Sequence, residues 1–233
     1  MKKIFIIAAM AVAGITTANA QEFKVGAKAG FLMSNVSVDS SSDIEAGKLI
    51  TSKLNTAFRP GFHFGAFIEY GFNEKIWVEA GVDYAFQGAK LKSVEATVIN
   101  VSDGSLFASE KANIKNGWLK TQQFNIPLWV KYDISGFRPK VGVNLGFLSK
   151  VKGNLEIEGG SAVENKSLTP DKKFDFGLGF GAEYNLPMGL FFDATFNLGL
   201  TKLSTKEKNN DGTYSEGGKF KNRVFQIGVG YKF

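Results

Sequence analysis

The last twelve residues of the sequence, Asn222–Phe233, read N-R-V-F-Q-I-G-V-G-Y-K-F and carry the clearest structural pattern in the chain. Apolar residues occupy every second position from Phe225 to Phe233, while glutamine, glycine and lysine occupy the positions between them. Such strict alternation is typical of a β-strand with one apolar and one polar face. Because the apolar face runs to a terminal aromatic residue beside Tyr231, we expect it to face lipid near the edge of a bilayer. The stretch therefore predicts the closing strand of a membrane β-barrel.

Seven earlier segments repeat this alternation, so the sequence predicts eight strands. Their lengths of roughly ten to thirteen residues are enough to cross a bilayer when tilted. The connections alternate between long and short along the chain, as in outer-membrane barrels. We therefore predict an all-β, eight-stranded antiparallel up-and-down transmembrane barrel with four long external loops, three short periplasmic turns and both termini in the periplasm. The predicted strands before the last are 22–34, 60–72, 76–87, 118–134, the stretch around 141–147, 173–185 and the one beginning at 190. The predicted long loops are 35–56, 88–116, 150–172 and 204–221. Within the second loop, residues 96–101 could extend the strands beyond the membrane.

The first twenty residues have the features of a secretory signal peptide. A lysine pair precedes the apolar run from Ile4 to Ala13, and Ala18-Asn19-Ala20 fits the small-residue cleavage pattern. The apolar run is too short to span a membrane as a helix. We therefore predict a signal peptide at residues 1–20 and an outer-membrane β-barrel domain at residues 21–233, located in the outer membrane of a Gram-negative bacterium.

The composition excludes several classes of function. The chain has no cysteine, which excludes thiol catalysis and cysteine-ligated metal. Its net charge of +6 becomes 6 − 2 = +4 without the two lysines of the predicted signal peptide, and the basic residues are too dispersed for nucleic-acid binding. No later apolar window approaches the length of a membrane-spanning helix. A soluble antiparallel sandwich is the alternative fold, but its strands are typically only about five or six residues long.

Five segments carry a pattern that is more specific than alternation alone. They are 124–132 (F-N-I-P-L-W-V-K-Y), 141–147 (V-G-V-N-L-G-F), 174–184 (F-D-F-G-L-G-F-G-A-E-Y), 193–203 and the terminal G-V-G-Y-K-F. In these segments the chain resembles the PorT-like outer-membrane β-barrel family, with Asn125 where members often carry an acidic residue. The resemblance covers essentially the whole chain after the predicted signal peptide. It implies an outer-membrane protein whose terminal aromatic strand is the barrel-assembly signal, and it does not imply one activity.

The polar faces of the predicted strands are rich in glycine. Because side chains largely fill an eight-stranded barrel, we interpret these glycines as room for four large inward residues near the periplasmic end. The charges at a similar depth can compensate one another, since an unpaired buried charge costs several kcal/mol. A ligand-binding aromatic box and acid–base chemistry by paired carboxylates are the alternatives. The predicted aromatic plug comprises Phe67, Trp77, Trp129 and Phe191, and the predicted lumen charge network comprises Lys24, Glu69, Glu79, Lys131, Lys140, Glu183, Asp193 and Lys232.

His63 is the only histidine in the sequence, and we expect it to face inward near the outer end of the second strand. Barrel-shaped outer-membrane hydrolases use histidine with serine or aspartate near the outer rim, but the sequence places neither beside His63. No His, Asp and Glu residues have metal-ligand spacing. Asn210-Asp211-Gly212 is typical of a turn, because the other ligands of a calcium loop are missing. We therefore predict no catalytic residue, no metal and no cofactor.

Three functions are compatible with this sequence. The favoured hypothesis is a non-enzymatic outer-membrane barrel with a structural, adhesive or envelope-assembly role exerted through its external loops. A small pore or transporter for solutes is the alternative, and it requires a continuous lumen. A lipid- or peptide-modifying enzyme centred on His63 is a further alternative. The expected partners are outer-membrane lipid and, through the C-terminal strand, the barrel-assembly machinery; nucleic acid is not expected, and the sequence identifies no partner for the loops.

Overall fold

The chain folds into antiparallel β-strands, as described by a computed structural model. The structure describes residues 22–156, 158, 162–208 and 213–233, so the predicted signal peptide and the Asn210-Asp211-Gly212 turn lie outside the described residues. Among the described residues, no helix is long and apolar enough to cross a membrane. The strands are β1 (Glu22–Val38), β2 (Ser41–Glu45), β3 (Lys48–Gly71), β4 (Ile76–Asn100), β5 (Leu106–Tyr132), β6 (Phe137–Glu156), β7 (Ala162–Pro170), β8 (Phe174–Asn185), β9 (Leu190–Gly199), β10 (Leu203–Lys208) and β11 (Tyr214–Lys232).

Eight of these strands form a closed ring. Strands β1, β3, β4, β5, β6, β8, β9 and β11 pair antiparallel in that order. The ring closes because β11 returns to β1, with partners running from Gly26↔Lys232 to Val38↔Phe220. A closed ring leaves no unpaired strand edge, which is the condition for lying in lipid. The predicted eight-stranded up-and-down barrel is confirmed.

The connections differ between the two ends of the barrel. At one end, which we call the turn end, three short turns occupy residues 72–75, 133–136 and 186–189. The two ends of the described chain lie there as well, since Glu22 pairs with Gly71 and the Phe233 backbone N–H donates to the Val25 carbonyl. The other end, which we call the hairpin end, carries the four long connections.

The long connections are mostly paired strand rather than irregular loop. Strands β4 and β5 stay paired out to Ile99↔Leu106, so the expected extension at 96–101 is present up to Asn100. Strand β3 begins at Lys48 and pairs with β4 and the short strand β2, while β7 and β10 continue the ring beyond β8 and β9. The four predicted long connections are therefore present, but most of their described residues form paired strands that extend the hairpins. Outside a bilayer an outward side chain need not be apolar, so alternation disappears from the sequence although backbone pairing continues.

The side chains divide the barrel into an apolar exterior and a polar interior. Outward residues such as Leu128 and Leu178 are each 38% exposed without lipid, whereas inward residues such as Gln123 and Lys131 are each 1% exposed. Apolar-out and polar-in alternation is the pattern of outer-membrane barrels. Outward aromatic residues lie near both ends, as in an aromatic girdle: Tyr70, Phe72, Tyr132, Tyr231 and Phe233 at the turn end, and Phe62, Tyr84, Phe86, Phe124, Phe147 and Phe174 toward the hairpin end.

A β-bulge in β6 changes which residues enter the lumen toward the hairpin end. Gln123 pairs with Leu148 but Gln122 pairs with Lys150, so Ser149 is the extra residue. Leu148 already has the inward parity of β6, and the bulge turns Val151 inward as well, so that each is 2% exposed. A bulge re-aims the side chains that follow it. This one places Val151 inside the barrel beside Leu148.

Candidate functional site

A cluster of buried ion pairs fills the lumen near the turn end. The Lys131 Nζ atom on β5 lies 2.6 Å from Glu69 Oε1, 2.5 Å from Glu79 Oε2 and 2.6 Å from Glu183 Oε2. These carboxylates come from β3, β4 and β8, so one ammonium group joins three other strands across the interior. Oxygens of the three carboxylates lie within 4.8 Å of one another, which is a spacing that could hold a metal ion. Here the ammonium group takes that central position.

Further cations surround the same carboxylates. Lys232 Nζ lies 2.5 Å from Glu183 Oε1 and 3.0 Å from Glu69 Oε2. Lys140 pairs with Asp193 on β9. Because each buried charge has a partner of opposite sign, the desolvation cost is offset by mutual attraction. The other pairs are Lys28 Nζ with Glu79 Oε1 at 2.9 Å, Arg138 Nη1 with Glu69 Oε2 at 3.0 Å, and Arg138 Nε with Asp133.

The membership of this cluster differs in part from the predicted charge network. Lys24 is not in it, because its side chain is 28% exposed and pairs with Glu22 at 3.0 Å. Lys28 and Arg138 are members that the prediction lacked. Both share the inward parity of predicted members on their own strands, so the sequence did carry a signal for them. The structure brings together the remaining seven: Glu69, Glu79, Lys131, Lys140, Glu183, Asp193 and Lys232.

Four large aromatic residues pack between these charges. Phe67, Trp77, Trp129 and Phe191 are each at most 4% exposed, and Phe67 meets Phe191 edge to face with ring centroids 5.6 Å apart. A cation over an aromatic face is attracted to it, more strongly when both are desolvated. Each of the four rings has such a cation: Lys28 at 5.4 Å from Phe67, Arg138 at 4.2 Å from Trp77, Lys140 at 4.8 Å from Trp129 and Lys232 at 4.8 Å from Phe191.

Inward glycines provide the space that these rings occupy. A Cβ atom added at Gly179 would lie 2.3 Å from the Trp129 ring, and one added at Gly230 would lie 2.3 Å from the Phe191 ring. Real Cβ atoms do not approach that closely, so a larger residue at either position would displace a buried ring. The glycines and the aromatic residues are therefore complementary parts of one packed layer.

A layer of amides and carboxylates lies next to the ion pairs, toward the hairpin end. His63 is 3% exposed, and its Nδ1 lies 2.8 Å from Asp83 Oδ2, whose Oδ1 accepts a hydrogen bond from Asn125. The structure thus places an acid beside His63, which the sequence could not do. His63 Nε2 is buried with no hydrogen-bond partner in the described part of the chain. The dyad has a base and an orienting acid, but no hydroxyl nucleophile touches it among the described residues.

The rest of this layer surrounds a small cavity. Asp175 accepts hydrogen bonds from Gln123 Nε2 at 3.1 Å and from Asn222 Nδ2 at 2.8 Å. The cavity has a volume of about 30 Å³ and is lined by these three residues together with Asn197, Gln226 and others. This volume is enough for a water molecule, and the polar lining offers several hydrogen bonds to it.

Apolar side chains close the lumen beyond the polar layer. Leu32, Ala85 and Val224 form a first buried cluster. A larger cluster follows, drawn from β1, β4, β6, β10 and β11, and it includes Leu148 and Val151 from the two sides of the bulge. Strand periodicity did not predict this layer, because most members of the larger cluster lie in or next to the predicted long loops. The members of the larger cluster are Val36, Ala89, Leu148, Val151, Leu203 and Phe220.

The fold and lumen together define the class of protein. A closed eight-stranded barrel with an apolar exterior, aromatic girdles and a charged interior has the features of a transmembrane β-barrel. Comparison with known families agrees with this class, since the profile of the family described as "Outer membrane protein beta-barrel domain" matches residues 5–233. The chain belongs to that family. No curated protein sequence matches it.

Several solved structures of outer-membrane proteins are similar to this chain. A major outer membrane protein from Thermus thermophilus has 16% identity and a TM-score of 0.49, covering 92% of this chain and 100% of its own. OprG from Pseudomonas aeruginosa has 16% identity and a TM-score of 0.43, covering 92% and 97%. Ail, the attachment invasion locus protein of Yersinia pestis, has 15% identity and a TM-score of 0.41, covering 91% and 99%.

Proposed function

We propose that the protein is a non-conducting, non-enzymatic integral outer-membrane barrel that acts through the hairpins at its extended end, in a structural, adhesive or envelope-assembly role. The observation that carries this proposal is the filling of the lumen by three successive layers. Ion pairs and aromatic rings fill the turn end, an amide layer with a cavity of about 30 Å³ follows, and apolar side chains fill the hairpin end. A solute path requires a continuous opening through all three layers, so the filling favours this role over a pore or transporter.

The surroundings of His63 support a non-enzymatic role. Its side chain lies inside the barrel with Asp83, beneath the buried cluster that contains Leu32 and Ala85. A substrate would have to cross the apolar layer to reach Nε2. Because buried acid–base groups without access to substrate cannot turn over, we assign the dyad to the packing of the lumen.

The placement of the barrel in the envelope is part of the same proposal. Residues 1–20 are removed as a signal peptide, and both termini and the three short turns face the periplasm. Strand β11 is recognised by the barrel-assembly machinery, as the PorT-like resemblance implies. The clustering of both ends of the described chain with the short turns supports this orientation. Intact-mass measurement of protein purified from membranes is expected to show Gln21 as the first residue; a retained leader contradicts the placement.

Conductance in planar lipid bilayers tests the closed lumen. The parent protein is expected to stay at the leak level of protein-free bilayers. The double variant Trp129→Ala, Phe191→Ala widens the turn end of the lumen and serves as the comparison, because both side chains are buried there. A steady, ion-selective current through the parent that changes in this variant would overturn the proposal and favour a pore.

A further inference from the structure

The outward face of β4, β5 and β6 changes from apolar to polar at a single level toward the hairpin end. Phe124 and Phe147 are paired neighbours there and are 40% and 43% exposed without lipid. One step further, the Tyr84 hydroxyl donates to Gln122 Oε1 at 2.9 Å and lies 3.3 Å from Ser149 Oγ. A tyrosine with its ring among apolar side chains and its hydroxyl in a polar setting is typical of a membrane–water interface. The Tyr84 hydroxyl therefore marks the boundary of the apolar band.

A group of exposed lysines lies directly beyond this boundary. Lys150 is the partner of Gln122, and Lys152 is the partner of Lys120. Lys150 is level with Gln122, the Lys120–Lys152 pair lies two residues farther from the boundary, and Lys90 lies two residues farther again, which is about 13 Å in all at the rise of a β-strand. On β4, Lys90 pairs with Trp118, and the Lys120 Nζ atom lies 3.9 Å from the centroid of the same Trp118 ring. We call Lys90, Lys120, Lys150 and Lys152 the outer lysine patch; all four are exposed.

The patch holds positive charges that the protein itself does not compensate. Lys120 and Lys152 are directly opposite each other on adjacent strands, where like charges are destabilising. Within the described part of the chain, none of the four lysines forms an ion pair. Farther along the ladder of β4 and β5, by contrast, Glu95 faces Lys111 and pairs with it at 3.2 Å. The strands thus match opposite charges elsewhere, while the outer lysine patch lacks an anion.

We propose that the outer lysine patch binds a lipid of the surrounding leaflet whose headgroup carries more than one phosphate, that is, a multiply phosphorylated glycolipid. The patch lies at the depth where headgroup phosphates lie, just past the interfacial tyrosine. An ammonium group donates charge-assisted hydrogen bonds to phosphate oxygens. Four lysines over three strands exceed what one phosphate contacts, so a headgroup with two phosphates fits the patch better. The inference rests on the proposed outward orientation of the hairpin end, but not on what the hairpins bind.

A titration in lipid nanodiscs tests this site. The purified barrel is placed in phosphatidylcholine nanodiscs, and bisphosphorylated lipid A is added while binding is followed by native mass spectrometry and by thermal unfolding. Lys120→Gln and Lys152→Gln are each expected to weaken lipid A binding about fivefold, since a lysine near a lipid surface contributes about that factor. The matched control is Lys115→Gln, an exposed lysine on the same strand but farther from the boundary, and its affinity should equal that of the parent.

The same variants separate lost binding from lost folding. In nanodiscs without lipid A, Lys120→Gln is expected to be at least as stable as the parent, because it removes the repulsion with Lys152. Equal lipid A affinity in parent and variants overturns the proposal, as does equal affinity for phosphatidylglycerol or for lipid A without its phosphates. Displacement of lipid A by millimolar inorganic phosphate would instead indicate a site for free phosphate and would also overturn it. A current in planar bilayers would contradict the closed lumen and leave this site untouched.

Discussion

The two ends of the lumen are filled by opposite kinds of chemistry. At the turn end, Lys131 and its carboxylates sit between aromatic rings, and every buried charge has a partner. At the hairpin end, Leu148, Leu203 and Phe220 meet with no charge among them. The stability of the turn end depends on equal numbers of positive and negative buried charges, whereas the stability of the hairpin end depends on apolar side chains that fill the available volume. Both solutions fill a narrow barrel, but they should fail in different ways.

Loss of the central cation is expected to have the largest effect. Lys131→Met leaves Glu69, Glu79 and Glu183 facing one another with one fewer positive charge among them. Breaking a buried ion pair by removing one partner costs about 3–5 kcal/mol. The free energy of unfolding, measured by urea titration in lipid vesicles at neutral pH, should fall by that amount. The loss should shrink in acid, where the carboxylates become protonated and the repulsion disappears.

A lysine at the margin of the cluster provides the control for this experiment. Lys24 points inward on β1 but is 28% exposed and pairs only with Glu22 among the described residues. Partly exposed pairs contribute little to stability. Lys24→Met should therefore leave the unfolding midpoint nearly unchanged. If the two variants lost equal stability, the cluster would not be held by its buried charges.

A cavity at the other end should cost somewhat less and should not depend on pH. Leu203 is 0% exposed and packs in the cluster with Val36 and Leu148. Leu203→Ala removes buried methyl groups and leaves a cavity, which costs about 2–5 kcal/mol. The same urea titration should give equal losses at neutral and acidic pH. A pH-dependent loss would indicate that charged groups contribute to this layer, contrary to the contrast between the two ends.

The rim of the barrel is expected to show the smallest effect. Lys202 donates a hydrogen bond to Asp39, and this contact lowers the pKa of the Asp39 carboxyl below its ordinary value. A lowered carboxyl pKa adds stability above the pKa of the unfolded chain, and that stability is lost as pH falls through the folded pKa. Because the pair is exposed and screened by water, the gain is small. In an NMR titration, Lys202→Gln should raise the Asp39 pKa toward its ordinary value without shifting the unfolding midpoint at neutral pH.

Much of the lumen could be predicted from sequence because strand periodicity fixes which way a side chain points. Parity alone identifies the inward glycines, the aromatic rings and most of the charges, and it would also have identified Lys28 and Arg138. The partners of each side chain are harder to predict, because they depend on the register between neighbouring strands. His63 and Asp83 lie on neighbouring strands, but the direct partner of His63 in the strand pairing is Ala85. The contact between His63 and Asp83 is therefore diagonal, and it can be predicted only once the register is known.

The apolar layer at the hairpin end could not be predicted by the same reasoning. Its residues lie beyond the level of Tyr84, where outward positions no longer need to be apolar and the alternation fades. The bulge at Ser149 then shifts the parity of β6, so counting from Val141 would assign Val151 to the outside. Both effects arise from how the strands pair, and the sequence of a single strand does not show them.

The position of Lys232 has a consequence for the order in which the chain matures. This residue is next to the C-terminus and pairs with Gly26 at the seam where the last strand meets the first. Its ammonium group also contacts Glu69 and Glu183, so these two carboxylates have their full set of cations only after the seam has closed. Contacts between the two ends of a chain form late, because closing a long loop costs entropy. In an unfinished or C-terminally truncated chain, Glu69 and Glu183 would therefore lack one of their cations, and the loss of these buried ion pairs would destabilise the incomplete barrel.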